Sequence, residues 1–156
     1  MTIAEDQEIA KRITQQFPDI KVECPLPNRI DLECPPSITP TLAAYLRDVE
    51  ELDHVTSVTG IDYPDTNSIR VTYHLSAYAK PAIRRLVVSI SVNLPREQPT
   101  MPSLLSVWPS AEFHERETNE MVGVIFEDHP NLNRLLLPED WNDPPPLRKD
   151  FKLRGR

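Results

Sequence analysis

Three strand candidates lie between residues 54 and 94, and the alternation of apolar and polar side chains in the second and third constrains the fold more than any other feature. The segments are residues 54–63, 69–75 and 84–94, and residues 64–67, Pro-Asp-Thr-Asn, predict a turn between the first two. A period of two places apolar side chains on one face of a strand. Gly60 inside the first segment predicts a kink or a bulge. The pattern therefore predicts three strands of an antiparallel sheet.

The residues before this region predict helices on either side of a hairpin. Residues 2–16 have the spacing of an amphipathic helix, and residues 20–24 and 29–34 alternate like paired strands. A second helix is predicted from about Thr39, with Pro40 at its first position. Its inward-facing residues are predicted to be Leu42, Tyr45, Leu46 and Val49. The expected class is α+β, a mostly antiparallel sheet with helices packed on one face.

The character of the chain changes after Pro95, so we expect two parts, a core domain of residues 1–95 and a tail of residues 96–156. The tail begins with a proline-punctuated loop, and a short helix is predicted from Ser110, as N-cap, to about Val122. Beyond it the sequence is again rich in proline and predicts a long extended C-terminal segment. Such a segment has few contacts of its own, and we expect it to bind a partner.

Charge and hydropathy exclude several functions. The 156 residues include 17 Lys and Arg against 24 Asp and Glu, a net charge of −7, which argues against nucleic acid as a partner. No apolar run approaches the roughly 18 residues of a membrane span, and the acidic N-terminus is unlike a signal peptide. With three glycines, no phosphate-binding glycine loop is predicted. We expect the chain at the cytoplasmic face of a membrane, attached only through partner proteins.

The residues that bind metals do not form a ligand set in the sequence. Cys24 and Cys34 favour free thiols over a disulfide, although a bridge between paired strands stays open. His114 and Glu115 begin a zinc-protease pattern, but Thr118 occupies the position of the second histidine. His114 and His129 would lack a third ligand. We therefore expect neither a metal nor another cofactor in this chain.

Two carboxylates of the predicted helix raise the question of acid–base chemistry. Glu115 and Glu117 are two residues apart, and side chains at that spacing diverge on a helix. Arg116 has Glu112 and Glu120 at four residues on either side, which predicts a charge network on one helix face. A solvated face is the simpler reading of such charges, but an arginine between carboxylates also suits a protein interface.

The tail resembles a known family over long motifs. These are residues 115–130, 135–141 and 146–151, with shorter matching strings at 60–63, 73–75 and 107–109. Over residues 54–152 the chain resembles the thirty-kilodalton subunit of respiratory complex I, the NADH-quinone oxidoreductase. The resemblance implies a cofactor-free structural subunit in the peripheral arm of a hetero-oligomer. It would contact a hydrogenase-like large subunit near the quinone site, with flavin and iron–sulfur clusters in partner subunits.

The resemblance and the charge pattern give a set of candidate partner-binding residues. They are Glu115, Arg116, Glu117, His129, Arg134, Leu147, Arg148, Lys149, Asp150 and Phe151. We expect no catalysis by the chain alone. Two alternatives stay open, which are an equivalent subunit of a membrane-bound hydrogenase or formate hydrogenlyase, and a free-standing adaptor.

Overall fold

The computed structural model describes residues 3–152, which form a five-stranded sheet, a two-stranded sheet and three α-helices. In chain order the elements are α1 (Ile3–Gln16), β1 (Lys21–Leu26), β2 (Arg29–Glu33), α2 (Thr39–Asp48), β3 (His54–Tyr63), β4 (Ser68–Ser76), β5 (Val87–Pro95), β6 (Thr100–Pro102), α3 (Glu112–Val122) and β7 (Ile125–Glu127). Residue 2 of the predicted first helix and residues 153–156 of the predicted tail lie outside the described residues.

The large sheet has the strand order β1-β2-β5-β4-β3 and is mostly antiparallel, as predicted. The central pair β2 and β5 is parallel, with Ile30 opposite Val88 and Leu32 opposite Ile90. The chain reaches this pairing because α2, β3 and β4 intervene between the two strands. The small sheet, a parallel pair of β6 and β7, was not predicted because each strand has only three residues.

The two faces of the large sheet differ in polarity, and the helices pack on the apolar face. Alternate residues of β4 illustrate this, because Ile69, Val71, Tyr73 and Leu75 are all buried while the residues between them are half-exposed. Inward residues of α1 and α2, among them Ile13 and Leu42, join the same core. The prediction of helices on one face of an antiparallel sheet is therefore confirmed. One helix residue was assigned wrongly, since Val49 is 54% exposed just after α2 ends.

The hydrophobic core extends beyond residue 95, whereas the two-part division of the sequence predicted that it would end there. Seven residues from the second part belong to the same buried cluster: Met101, Leu104, Trp108, Ala111, Val122, Val124 and Phe126. Trp108 is fully enclosed, and its indole N–H donates to the carbonyl oxygen of Leu52 at 2.8 Å. The packed body therefore extends to about residue 126, and the following residues form the extended segment.

Gly60 has a packing role in place of the predicted bulge. The irregularity of β3 lies between Val55 and Ser57, and Gly60 pairs regularly with Val71. A Cβ atom at position 60 would lie 3.0 Å from a methyl carbon of Thr118 and equally close to one of Val122. Glycine is needed here because α3 crosses β3 at close range.

The remaining local predictions have mixed outcomes. Ser110 does not cap α3, because its hydroxyl oxygen instead accepts the main-chain N–H of Val55 at 3.0 Å. Cys24 and Cys34 are both free thiols, one exposed and the other buried. No helix within residues 3–152 has the length and apolar character needed to cross a membrane.

Candidate interaction surface

Residues 127–152, here called the C-terminal strap, run from the end of β7 across the C-terminal part of α3. From residue 128 onward the described part of the strap contains no helix or strand. Its main chain is held instead by hydrogen bonds to the body, such as the N–H of Leu147 donating to the carbonyl oxygen of Met121 at 2.9 Å. The expectation that this segment has few contacts of its own is therefore wrong.

The first of these anchoring contacts is a buried carboxylate. Glu120 is 8% exposed on α3, and both of its carboxylate oxygens accept the main-chain N–H of Leu135 at 3.2 Å. The N–H groups of Leu136 and Leu137 donate to the same carboxylate at 2.8 Å each. Three consecutive amides thus converge on one negative charge, an arrangement that charge-assisted hydrogen bonding favours.

Two arginines donate hydrogen bonds to main-chain carbonyl oxygens in the same part of the strap. Arg116 donates to the carbonyl oxygens of Asn133 and Arg134, each at 3.1 Å. Arg134 in turn donates to the carbonyl oxygens of Pro138, Glu139 and Trp141 at 2.8, 2.8 and 2.5 Å. The predicted network of Arg116 with Glu112 and Glu120 is therefore wrong. Helix periodicity indicates only which residues of the same helix lie near Arg116, and it gives no information on main-chain carbonyls of the strap.

Arg148 fastens the later part of the strap to the end of α3. Its guanidinium donates to the carbonyl oxygen of Val122 at 2.8 Å and to that of Arg96 at 3.0 Å. Gly123 ends the helix with φ +85°, a conformation that favours glycine. A Cβ atom there would lie 3.1 Å from the Arg148 guanidinium. Arg148 was predicted to bind a partner, and the structure shows it engaged within its own chain.

Asp62 is the anchor of the last described residues, and sequence analysis missed it. Its side chain is fully buried, accepts two hydrogen bonds from Arg96 at 2.6 and 2.9 Å, and accepts the N–H of Lys149 at 2.9 Å. Arg96 also forms an ion pair with Asp150 at 3.0 Å. The hydrogen bonds from Arg96 lower the pKa of Asp62, although burial acts in the opposite direction. The alternation of the sequence does not reveal this burial, because the irregularity between Val55 and Ser57 reverses which residues face the core and leaves Ile61 exposed.

Glu115 lies in the interior, away from any surface that a partner could reach. It is fully buried and accepts hydrogen bonds from the Tyr73 hydroxyl at 2.8 Å, the Ser103 hydroxyl at 2.5 Å and the N–H of Leu104 at 2.8 Å. Burial raises its pKa, although these hydrogen bonds act in the opposite direction. Its placement among the partner-binding candidates is therefore wrong. Glu117 is exposed and does not share a site with Glu115.

The anchoring contacts leave a set of apolar side chains facing outward. Leu136 and Leu147 of the strap are each 59% exposed, and Leu135 is 39% exposed. On α3, Phe113 is 57% exposed beneath the guanidinium of Arg116, which lies 5.7 Å from the ring centre. Arg116 also binds the main chain beside Leu135, so Phe113 lies close to the first of these leucines. Exposed apolar side chains gathered on a rigid segment are typical of protein interfaces.

The other predicted residues lie near this surface in different environments. The ring of Phe151 stacks against that of Trp141, with centres 5.9 Å apart. The Nδ1 atom of His129 accepts the N–H of Asn131 at 3.1 Å, and Lys149 is exposed. Within residues 3–152, no three His, Cys, Asp or Glu side chains come together as metal ligands. That the chain lacks cofactors stays a prediction.

The family model described as "Respiratory-chain NADH dehydrogenase, 30 Kd subunit" matches residues 32–156. A subunit of the F(420)H(2) dehydrogenase of Methanosarcina mazei is 34% identical over 146 residues, which cover 92% of this chain and 90% of that protein. A subunit of the NADH-quinone oxidoreductase of Moorella thermoacetica is also 34% identical, over 149 residues that cover 92% and 93%.

Solved structures share the fold at lower identity. A chain of the membrane-bound sulfane sulfur reductase, an archaeal respiratory membrane complex, superposes with a TM-score of 0.73 at 23% identity, covering 96% of this chain and 87% of that one. A trypsin-resistant fragment of Nqo5 gives a TM-score of 0.67 at 20% identity, covering 80% and 97%. The family model and the two relatives together show that this chain belongs to the thirty-kilodalton subunit family of the respiratory-chain NADH dehydrogenases.

Proposed function

We propose that this chain is a cofactor-free structural subunit of a complex I-like respiratory oxidoreductase, the counterpart of the thirty-kilodalton subunit in its relatives. Its strap binds the hydrogenase-like large subunit of the peripheral arm near the quinone site. The observation that carries the proposal is the anchored strap, which exposes Leu136 and Leu147 while its main chain is fixed to the body. Membership in the family supports the setting in a hetero-oligomer.

A binding role is favoured because the strap is preorganised. Glu120 and Arg116 contact main-chain atoms, so the strap has a defined path before any partner arrives. A segment that is already ordered loses less conformational entropy on binding than a free tail does. Solvent-exposed leucines on such a segment then contribute apolar burial at the interface.

In this proposal, the partner subunits carry out electron transfer. Flavin and iron–sulfur clusters would lie in other subunits, and this chain would be held at the cytoplasmic face of the membrane only through the assembly. The electron donor follows from the partners, because one relative belongs to an F(420)H(2) dehydrogenase and another to an NADH-quinone oxidoreductase.

The test introduces a charge on the proposed surface and at a matched position elsewhere. Leu136→Asp and Leu147→Asp change strap leucines that are 59% exposed, and Leu26→Asp changes a leucine of the β1–β2 hairpin that is 64% exposed. Burying an unpaired carboxylate at an interface is unfavourable, so we expect about tenfold less assembled complex for the strap variants. Leu26→Asp should assemble like the wild type.

Native mass spectrometry of the affinity-purified complex measures the assembled fraction and identifies the partners. Surviving complexes with strap variants should keep their electron-transfer rate per complex. Wild-type assembly of both strap variants would refute the docking role. A large subunit that evolves hydrogen and does not reduce quinone would instead support a membrane-bound hydrogenase or formate hydrogenlyase.

A further inference from the structure

The end of the large sheet opposite the strap carries a different kind of surface. The strap is fastened near Asp62 and Arg96, where β3 and β5 end. The connection between β4 and β5, residues 77–86, lies beyond the other end of the sheet and is here called the basic loop. The nine residues of β4 separate the two ends by about 26 Å at roughly 3.3 Å per residue.

The basic loop has a charge opposite to that of the chain as a whole. It contains Lys80, Arg84 and Arg85 and no acidic residue, whereas the whole chain has a net charge of −7. Lys80 pairs with Glu51. Arg84 and Arg85 are exposed, and their side chains form no hydrogen bond or ion pair with any residue that the structure describes. Tyr78 of the same loop is 60% exposed.

The loop is nevertheless fixed to the body, so these groups are presented in a defined arrangement. The carboxylate of Asp53 accepts the main-chain N–H groups of Tyr78 and Ala79 at 2.7 and 2.9 Å. The ring of Tyr78 packs edge-on against that of His54, with centres 4.5 Å apart. Farther along, the buried side chain of Ile83 anchors the loop immediately before Arg84.

We propose that the basic loop is a second docking surface, which binds an acidic patch on another protein subunit through Arg84, Arg85 and Tyr78. Guanidinium groups bind carboxylates in a bidentate manner, and tyrosine and arginine are enriched at protein interfaces. A protein partner is favoured because a local acidic patch contacts only the basic loop, whereas an extended anionic membrane or nucleic acid would also face the negatively charged remainder of the chain and be repelled by it. The inference rests on the proposed function only in taking the chain to work inside a protein complex.

The strap, which is fastened at one end of the sheet, and the basic loop at the other end give the protein two separate contacts and a bridging role. The strap surface is apolar, and its contribution to binding comes from burial, whereas the basic loop contributes charge complementarity. The two contacts should therefore respond differently to salt. Binding through the basic loop should weaken as ionic strength rises, and binding through the strap should change little.

Charge reversal with a matched control tests the loop. Purified chain is added back to complex isolated from a strain that lacks it, and the dissociation constant is measured at low and high salt. We expect Arg84→Glu and Arg85→Glu each to weaken binding about tenfold at low salt. Lys11→Glu reverses an exposed lysine of α1, changes the net charge equally, and should bind like the wild type. Equal effects of all three variants would overturn the proposal.

A zero-length cross-link identifies the partner group. Carbodiimide treatment of complex carrying Arg84→Lys and Arg85→Lys joins a lysine amine to a touching carboxylate as an amide, and the carbodiimide takes up the water as a urea. Lys80 and Glu51 within the chain provide the internal positive control. We expect a link to Asp or Glu of a different subunit, absent when both positions are glutamine.

Three results would count against the proposal. These are links confined to this chain, links between two copies of it, and loop-dependent binding of the chain to vesicles of anionic phospholipid with normal assembly. The outcome is separable from that of the proposed function, because Leu136→Asp leaves the basic loop unchanged and the loop variants leave the strap unchanged.

Discussion

Replacing Glu120 by alanine should release the strap while leaving the core of the protein folded. The substitution removes the acceptor of three main-chain N–H groups, those of residues 135–137, two of them at 2.8 Å. A hydrogen bond to a charged group contributes about 1.5 to 3 kcal/mol. The sum of three such contributions overstates the loss of free energy, because the three bonds share one carboxylate. The amides also form hydrogen bonds with water when the strap opens. We expect the local opening free energy to fall by about 2 to 3 kcal/mol.

Hydrogen exchange measured by mass spectrometry reports this opening separately for each peptide of the chain. A change of 2 to 3 kcal/mol corresponds to roughly 30- to 150-fold faster exchange, and it should be confined to the strap, with β4 unaffected. Glu117→Ala is the control, because Glu117 is exposed on the same helix and accepts no hydrogen bond from the described residues. If exchange of the peptide containing residues 135–137 matches that of the wild type, the reasoning that Glu120 holds the strap is refuted.

Three further predictions concern the body of the protein. Gly123→Ala should lower the free energy of unfolding by about 1 kcal/mol in denaturant titration, because φ is +85° there and the new methyl group meets Arg148. Asp62→Asn should be less stable than the wild type at neutral pH. Because the folded-state pKa of Asp62 is lowered, this difference should shrink as pH falls below about 3.8. The folded-state pKa of Glu115 is raised, so the stability advantage of the wild type over Glu115→Gln should be largest below about pH 4.5 and shrink as pH rises.

The strands could be predicted from the sequence because their signal is local. The alternation in residues 69–75 and the turn at residues 64–67 depend only on neighbouring residues, and β3 has the predicted bounds, His54–Tyr63. The two-residue period forces one face of each strand inward whatever its neighbours are. The parallel pairing of β2 with β5 is not local, because α2, β3 and β4 lie between their starting positions Arg29 and Val87. Its geometry depends on the path of the intervening chain.

The candidate site was harder to predict because its contacts join side chains to distant main-chain atoms. Arg116 has carboxylates four residues away on either side, and a local reading pairs them. In the structure Glu120 instead accepts three amides from a segment 15 to 17 residues away, which satisfies its buried charge better than one partly solvated ion pair would. The burial of Glu115 had only a weak signal in the sequence, because the single apolar residue Val122 follows it two helical turns later on the same face.

The residues that anchor the strap contact main-chain atoms, and this affects which side chains of the strap are free to vary. Glu120, Arg116 and Arg148 contact amides and carbonyls, which nearly every residue type provides. The path of the strap is therefore largely independent of the side chains at positions such as 135 and 136. Those side chains can be selected for the surface of a partner without loss of the strap's own anchoring. Substitution of an anchoring residue should thus affect every partner alike, whereas substitution of an outward leucine should affect the one protein that it touches.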